Sequence, residues 1–383
     1  MIKELKLSIV IPCLNEKDTI DVCIRKCFLF FKQKKINGEI IIADNGSTDG
    51  SDIIALKSGA KVVKVVKRGY GAAIKEGVKH AKSKYILIAD ADDSYNFLSI
   101  KKFYIYLEKG FDLVQGTRFG KGRVNPGAMP LLHQYLGNPF FSLIFKLFYQ
   151  VPVNDIYCGM RAFRKDKFDS ISFFSDDMTF AVEHILKFHI NKYKIKEIPI
   201  RLFKDGRIST KKHLKTFTDG FKTLKLFLIF LPKKFYFFAS IIPLLYIFVK
   251  LFYSFINNNN FNFNSIDIII YFLISFQVFM FGLFSSTLSS LTNFSNDKKI
   301  FKFLDFFTLK KSLIICSIFL CSSFFLLNNK IRNFFLIYFS EKDLNLLSLL
   351  FFYIFVLIFF TSLHVSLLDL IKNSHLKFTN KKN

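Results

Sequence analysis

The strongest constraint on the fold is an abrupt change in composition near residue 235. Hydrophobic residues make up 51% of the 383 residues, and their excess is concentrated behind that point. Charged and apolar residues alternate in short runs before it, as in a soluble α/β domain. Four apolar runs follow, at about 235–256, 266–290, 311–328 and 346–371, and the third is short for a membrane span. We therefore expect a globular front part and a membrane-embedded rear part.

Charge in the connections predicts the orientation of the rear part. The connection around 257–265 carries no Lys or Arg, the connection around 294–311 is lysine-rich, and so is the tail at 372–383. Cytoplasmic loops carry an excess of Lys and Arg, so the front domain and the tail should share the cytoplasmic side. No signal peptide precedes the first predicted strand. We expect a multi-pass protein of the inner or plasma membrane, with residues 203–234 as an amphipathic juxtamembrane segment.

The formal net charge of +26 favours anionic binding partners. The basic residues form no single tract and no known nucleic-acid-binding module, so we do not expect a nucleic acid partner. Anionic membrane lipid and phosphorylated substrates explain the charge better. The six cysteines contain no CxxC pair, which argues against a disulfide framework or a zinc site.

Residues 1–202 read as an α/β domain. Short apolar runs alternate with helical patterns, which predicts a mostly parallel sheet covered on both faces. The predicted strands lie at 7–12, 39–43, 61–66, 85–89, 112–116 and 195–202, and the predicted helices at 17–34, 70–82, 98–108 and 176–190. The run 131–150 is too mixed for a membrane span, so we expect an interfacial or buried helix there.

Acidic residues follow several of these strands. Glu16, Asp44 and the pair Asp90 and Asp92 all come just after predicted strands, where ligands of parallel sheets bind. Two carboxylates one residue apart can hold Mg²⁺ or Mn²⁺ and leave ligand positions open for phosphate oxygens. Helix capping with solvated turn carboxylates would be the better explanation of an isolated Asp-x-Asp, but the neighbouring acidic strand ends favour a metal site.

Two further features indicate phosphate. The segment Lys67–Gly71 is rich in glycine and precedes a predicted helix, whose N-terminus favours an anion, although it is neither a Walker loop nor a full GxGxxG motif. The chain has nine arginines, six of them between 118 and 207. In a lysine-biased composition, arginine is retained where a planar bidentate fork is needed. We expect Arg118 and Arg207, both beside glycines, to face phosphate, and Arg164 and Arg201 to form surface salt bridges.

An ordered set of motifs then resembles the family 2 glycosyltransferases of the GT-A fold, in particular the dolichyl-phosphate mannose and glucose synthase branch. The motifs span about 200 residues, which makes them more specific together than alone. They are SIVIPCLNE (8–16), EIIIADNGSTDGS (39–51), RGYGAAIKEGVKHAKSKYILIADADD (68–93), GTRF (116–119), GAMPLLHQYLGNP (127–139), DIYCGMRAF (155–163) and EIPIRLFKDGR (197–207).

The resemblance implies roles for individual residues. Asp90 and Asp92 would bind the diphosphate and the metal, and Asp93 departs from the residue usual in relatives. The expected nucleotide-sugar contacts are Pro12, Leu14, Glu16, Asp44, Lys67, Arg68 and Gly71. The expected acceptor-phosphate contacts are Arg118, Arg123, His133, Arg207, Ser209, Lys211 and His213. His133 stands near where some relatives place a second acceptor arginine.

The expected enzyme is a membrane-bound, inverting glycosyltransferase. It would move one sugar from a UDP- or GDP-linked donor to a polyprenyl phosphate, with Asp92, Arg118 and Asp155 as catalytic candidates. Two roles remain for Asp155 at this point: a base, or a carboxylate that orients Arg161. Glu183 would face the cleft or lie on the surface. The absence of Trp excludes the Gln-x-x-Arg-Trp motif of processive synthases, so a single addition is favoured.

Two other functions compete with this one. The acceptor would be another membrane lipid or a lipid-linked saccharide in the first, and its hydroxyl would require a base. The second is a membrane protein whose domain has lost catalysis, and the intact Asp90 and Asp92 argue against it. The residues do not select the sugar, the nucleotide or the metal, and a homo-oligomer stays open.

Overall fold

The structure is a computed structural model that describes residues 5–208, 216–231, 233–256, 265–291, 309–328, 336, 341 and 344–359. Ser209, Lys211, His213 and the tail at 372–383 lie outside the described residues. The chain divides into two compact units, Met1–Leu228 and Ile229–Asn383.

The first unit is built on a seven-stranded, mostly parallel sheet, which confirms the predicted α/β class. Its order is β3-β2-β1-β4-β7-β5-β8, and β6 and β9 form a separate two-stranded sheet. The strands are β1 (Leu7–Cys13), β2 (Gly38–Asp44), β3 (Lys61–Lys64), β4 (Tyr85–Ile88), β5 (Leu113–Thr117), β6 (Arg123–Val124), β7 (Arg161–Arg164), β8 (Ile195–Pro199) and β9 (Arg201–Leu202). The central strands β1 and β4 are buried along almost their whole length, as continuous apolar runs require.

Helices flank this sheet near the predicted positions. They are α1 (Ile20–Lys34), α2 (Ser51–Lys57), α3 (Tyr70–His80), α4 (Ile100–Glu108), α5 (Asn138–Tyr149), α6 (Lys165–Asp169), α7 (Phe180–Ile190) and α8 (Thr216–Ile229). A 3₁₀ turn (Phe97–Ser99) precedes α4 and a π-helical turn (His133–Gly137) precedes α5. The buried residues of α1 recur at helical spacing, from Ile20 to Phe31, so one face of that helix covers the sheet.

The sequence analysis missed strand β7. It runs antiparallel between β4 and β5, pairing Ile88 with Arg161 and Gln115 with Arg161 from its two sides. Its four residues are too few for a periodic signal. The insertion matters for the site because it brings the residues just before β7 to the ends of β4 and β5. The single strand predicted over 195–202 is also two strands, since β8 joins β5 and β9 joins β6.

The second unit consists of apolar helices where the four runs were predicted. They are α9 (Lys233–Ile256), α10 (Ser265–Leu291), α11 (Leu309–Leu327) and α12 (Leu344–Phe359). Among the described residues, two stretches are long and apolar enough to cross a membrane, Lys234–Tyr253 and Ile268–Ser286, and the described apolar parts of the other two helices are shorter. Helices α9 and α10 pack closely at Gly282, where a Cβ would lie 2.4 Å from the Cβ of Tyr236.

Candidate active site

Three carboxylates follow strand β4, and their surroundings differ. The side chain of Asp92 accepts hydrogen bonds from Ser94 Oγ (2.6 Å) and Ser94 N (3.1 Å) through Oδ1. Asp93 adopts a left-handed conformation with φ of 59°, and both its oxygens lie 2.7 Å from Lys26 Nζ of α1. Asp93 is therefore engaged with α1. The expected pair Asp90 and Asp92 remains as the candidate metal ligands.

Asp90 carries a charge that its surroundings compensate only in part. Burial and then repulsion from Asp92 raise the pKa of Asp90 to about 7, although Arg118, Arg207 and Arg161 act in the opposite direction. Its carboxylate lies against Gly159, because a Cβ at position 159 would come within 2.3 Å of Asp90 Oδ2. Only glycine leaves room for the carboxylate at this point.

Arg207 bridges the acidic end of the site. Its Nε lies 2.8 Å from Glu16 Oε2, its Nη2 donates to Glu16 Oε1, and its Nη1 lies 3.3 Å from Asp92 Oδ2. The sequence analysis placed Glu16 at the nucleotide and Arg207 at the acceptor phosphate. The structure brings the two together beside Asp92, across 191 residues of sequence.

The ends of β1 and β2 form a second polar cluster. Asp44 is buried, and its carboxylate accepts from Ser47 N (3.1 Å) and Lys64 Nζ (3.0 Å). Asn15, with φ of 53°, accepts from Thr48 N at 2.8 Å. Pro12 pairs with Ala43 in the sheet, and Leu14 follows it at partial exposure. These residues share one sheet edge, where the nucleotide was expected.

The glycine-rich segment also reaches this edge. Asn45 holds it, since its Nδ2 donates to Lys67 O (2.9 Å) and its Oδ1 accepts from Gly69 N (2.7 Å). Lys67 forms an ion pair with Asp176, and the Arg68 guanidinium lies over Gly46, 3.2 Å from where a Cβ would stand. Gly71 packs α3 against α7, because a Cβ there would lie 2.5 Å from Phe180 Cβ. Lys67 and Gly71 thus have structural contacts of their own.

Arg118 and Asp155 form a buried, bidentate ion pair. Arg118 Nε lies 2.7 Å from Asp155 Oδ2, Nη2 lies 2.8 Å from Oδ1, and Arg118 N donates to Oδ2 at 2.9 Å. Asp155 has no exposed surface and Arg118 keeps 9%. Arg161 instead donates to Ala181 O and Cys158 O. The expectation that Asp155 orients Arg161 is therefore wrong: its partner is Arg118.

Glu197 of β8 fixes the loop that carries Asp155. Its carboxylate accepts from Asn154 N (2.6 Å), Asn154 Nδ2 (2.6 Å) and Asp155 N (3.1 Å). Burial raises the pKa of Glu197 despite these hydrogen bonds, which lower it. The loop is thereby held with Asp155 facing Arg118.

Three further charged residues singled out in the sequence have different surroundings. Glu183 is buried, and it accepts from Phe174 N (3.0 Å) and Ser175 N (2.8 Å) while pairing with Lys187 at 3.0 Å. It faces neither the cleft nor the surface. Arg164 forms the expected surface salt bridge, with Asp166 at 2.7 Å. Arg201 is exposed.

The remaining predicted phosphate contacts lie near a cavity with a mixed polar and apolar lining. Arg123 is exposed on β6, and His133 is half-buried at the start of the π-helical turn. Burial and then the positive charge of Arg118 lower the pKa of His133, whereas Asp219 raises it. A cavity of about 640 Å³ lies beside them, lined by Val124, Asn125, Pro126, Gly127, Met129, Pro130, Leu131, Gln134 and Tyr135.

The donor set fits a hard divalent cation that is shared with a ligand. Within the described ranges no three His, Cys, Asp or Glu residues cluster as a complete metal site. Asp90 and Asp92 provide two carboxylates with an excess of negative charge. Magnesium-type ions are commonly held by one or two carboxylates plus phosphate oxygens.

Comparisons with known proteins agree with this geometry. The profile of glycosyl transferase family 2 matches residues 8–172. A dolichyl-phosphate hexose transferase of Haloferax volcanii is 30% identical over 162 residues, which cover 42% of this chain and 68% of that protein. The chain belongs to glycosyl transferase family 2.

Two other similarities of this family member extend over more of the chain. The low-salt glycan biosynthesis hexosyltransferase Agl6 of Haloferax volcanii is 33% identical over 228 residues, 59% of this chain and 54% of that protein. The chain thus spans about half the length of that relative. Among solved structures, glucosyl-3-phosphoglycerate synthase from Mycobacterium tuberculosis with Mn²⁺ and UDP-glucose aligns with a TM-score of 0.46 at 18% identity, over 58% of this chain and 77% of that one.

Several residues at the site of this family 2 member escaped the sequence analysis. Gly159 makes room for Asp90, and its N–H donates to Tyr95 Oη at 3.1 Å. Lys26 neutralises Asp93, and Glu197 holds the Asp155 loop. Gly159 and Glu197 lie inside the motifs DIYCGMRAF and EIPIRLFKDGR. The motifs were identified from the sequence, but no role was assigned to these two residues. Lys26 carried no such signal.

Proposed function

We propose that this protein transfers one hexose from a nucleotide diphosphate sugar to a polyprenyl phosphate in the membrane, with inversion. One observation carries the proposal: the carboxylates of Asp90 and Asp92 follow β4, the negative charge of Asp90 is compensated only in part, and the positive charges that act on this end of the sheet are those of Arg118 and Arg207. Such a site suits a metal-bound diphosphate on one side and a second phosphate on the other. The similarity to a dolichyl-phosphate hexose transferase supports this choice of acceptor.

On the donor side, Asp90 and Asp92 would hold Mg²⁺ or Mn²⁺. The ion, when bound, would neutralise charge on the departing diphosphate. Pro12, Leu14, Glu16 and Asp44 share the sheet edge on which we place the nucleotide. Arg68, above Gly46 at the entrance to α3, is the basic residue that we assign to the diphosphate, with Lys67 beside it.

On the acceptor side, the demand on the protein is orientation. A polyprenyl phosphate is already an anionic nucleophile, so its oxygen can attack the anomeric carbon without a strong base. Asp155 is fully engaged by Arg118, which supports a positioning role for it. We assign Arg118, Arg123 and His133 to the phosphate, and the neighbouring cavity, whose lining includes Val124, Met129 and Leu131, to the first part of the lipid. Ser209, Lys211 and His213 remain proposed phosphate contacts.

The membrane location is part of the proposal. In the described part of the chain, four apolar helices follow the first unit, and two of them satisfy the length and composition of a span. Within the first unit, α5 and the turn before it expose a row of apolar side chains: Leu131, Leu132, Tyr135, Leu136, Phe140, Leu143 and Leu147. A face of this kind suits the lipid–water boundary. We place the first unit on the cytoplasmic side.

The test is sugar transfer in a defined membrane. Full-length protein in lipid vesicles would be incubated with Mn²⁺, polyprenyl phosphate and a panel of radiolabelled UDP- and GDP-sugars. We expect one donor to label the lipid phase, and Asp92→Asn to reduce that labelling by at least about 100-fold, as for loss of a major electrostatic contribution. No lipid label with any donor would contradict the proposal.

The chemistry of the product separates the acceptors. A sugar linked through a prenyl phosphate is released by mild acid and survives mild alkali. A glycosylated diacylglycerol loses its acyl chains in alkali and keeps its sugar in mild acid. Labelling in vesicles that contain diacylglycerol but no prenyl phosphate would favour the alternative acceptor.

A further inference from the structure

Arg207 occupies the position where a metal–nucleotide complex is expected. Its guanidinium contacts both oxygens of Glu16 and reaches Asp92 Oδ2 at 3.3 Å. The side chain keeps only 13% of its surface exposed. One arginine therefore serves as counter-ion to a proposed nucleotide contact and to a proposed metal ligand.

The backbone around Arg207 is fastened to the same strand ends. Gly206 N donates to Asp92 O at 2.9 Å, and Phe203 N donates to Ser94 O at 2.9 Å. On the other side, Ile208 N donates to Asp18 Oδ2 at 3.0 Å. These bonds hold the guanidinium over the site.

A divalent cation at Asp92 would conflict with this arrangement. Asp92 Oδ1 accepts from Ser94, and Oδ2 faces Arg207, so both oxygens are engaged. A cation bound to Oδ2 would also stand next to a guanidinium of like charge, and like charges in a partly buried site repel strongly. The positive charge of Arg207 therefore opposes the binding of a metal ion by itself.

A nucleotide diphosphate removes the conflict. Arginine binds phosphate oxygens bidentately as readily as carboxylates, so the diphosphate offers Arg207 a new anionic partner at the moment when the metal takes Asp92. We propose that Arg207 is an exchangeable counter-ion that passes from Glu16 and Asp92 to the diphosphate, so that metal and nucleotide bind cooperatively. This inference rests on the donor site of the proposed function.

The test measures metal binding without turnover. Free Mn²⁺ is followed by its electron paramagnetic resonance signal during titration of the full-length, detergent-solubilised protein, with and without UDP and with a protein-free Mn²⁺–UDP titration as the blank. The variants are Arg207→Gln and Arg201→Gln. The second removes the same charge from an exposed arginine six residues earlier, and Asp92→Asn identifies the signal of this site.

In the wild type, Mn²⁺ alone should bind weakly and UDP should tighten its binding. Arg207→Gln should bind Mn²⁺ alone at least about fivefold more tightly than the wild type, the low end of typical coupling between sites. The ratio of the Mn²⁺ affinities measured with and without UDP should be smaller for this variant than for the wild type. This follows because one coupling free energy links the binding of the two ligands. Arg201→Gln should resemble the wild type. Arg207→Lys, which keeps the charge without the bidentate fork, should lie between the two.

Equal Mn²⁺ affinities for Arg207→Gln and Arg201→Gln, or weaker binding by Arg207→Gln, would overturn the exchange. If UDP and Mn²⁺ still bound together in those variants, the proposed donor site would stand and only the role of Arg207 would fall. If neither the wild type nor any variant bound Mn²⁺ with UDP present, both proposals would fall together.

Discussion

Two carboxylates lie at the same end of the sheet, Asp90 after β4 and Asp155 before β7. Neighbouring groups neutralise their negative charges to different degrees. Asp155 is fully buried and its two oxygens accept three hydrogen bonds from Arg118. Asp90 receives no hydrogen bond from any residue in the described part of the chain, and burial with the charge of Asp92 raises its pKa to about 7. A buried carboxylate that forms an ion pair with its own cation stabilises the fold. A carboxylate whose negative charge is only partly neutralised is available to bind a metal ion.

The largest effect should come from breaking the matched pair. Asp155→Asn would leave the Arg118 guanidinium buried opposite a neutral amide, and loss of one partner of a buried ion pair costs about 3–5 kcal/mol. Thermal unfolding can be followed by the reaction of the buried thiols of Cys13, Cys23, Cys27 and Cys158 with a fluorogenic reagent. We expect a clearly lower midpoint for the variant.

The matched control is Asp166→Asn, which removes an exposed partner of Arg164. Exposed pairs are worth at most about 1 kcal/mol, so its midpoint should stay close to that of the wild type. If Asp155→Asn were as stable as this control, the contrast between the two carboxylates would be broken.

Asp90→Asn should show the reverse pattern. The amide removes a charge that the fold compensates poorly, so the unfolding midpoint should stay level or rise. Sugar transfer should fall by about 100- to 1000-fold, the usual result of losing one major electrostatic contribution, and Mn²⁺ binding should be lost with it. A variant that retained transfer while unfolding early would show that Asp90 is a scaffold residue.

Gly159→Ala probes the space that Asp90 needs. The added methyl group would meet Asp90 Oδ2 at 2.3 Å, and overpacking of this kind costs about 1–3 kcal/mol. We expect weaker Mn²⁺ binding and slower transfer with the fold retained, as judged by circular dichroism. Gly220→Ala on α8, where a Cβ would meet nothing within 4 Å, should leave both measurements unchanged.

The smallest effect is a dependence of stability on pH. The folded-state pKa of Asp90, about 7, exceeds its ordinary value of 3.8. Between these values the folded state holds the proton more tightly, so the contribution of Asp90 to stability falls as pH rises toward 7. Between pH 5.5 and 7.5 the difference in stability between the wild type and Asp90→Asn should change by up to about 2 kcal/mol in chelator-treated buffer. A constant difference would contradict the raised pKa.

Much of the α/β framework was predictable because its signals are local. The runs at 7–12, 39–43 and 85–89 became β1, β2 and β4 with ends shifted by one residue or less. Helix α7 begins four residues later than predicted, at Phe180, because Asp177 accepts from Thr179 N at 3.0 Å and forms a turn first. The acidic strand ends also converged as expected, because carboxyl ends of parallel strands meet at one edge.

The partners within the site were not predictable from the same signals. Asp155 was assigned to Arg161, which is near in sequence, but it pairs with Arg118, 37 residues away. Arg207 was assigned to the acceptor phosphate, and it lies on Glu16 and Asp92. The spacing of residues along the chain does not show which of several arginines forms an ion pair with a given carboxylate.

The sequence by itself determined the strand–helix alternation, the two-part division into polar and apolar halves, and the carboxylates at the end of β4, since each depends on residues within a few positions of one another. Only the tertiary structure decided that the antiparallel strand β7 enters between β4 and β5. That insertion brings Gly159 against Asp90 and Asp155 against Arg118. Pairing of distant segments depends on burial and charge summed over the whole domain, so it becomes visible only when the chain is folded.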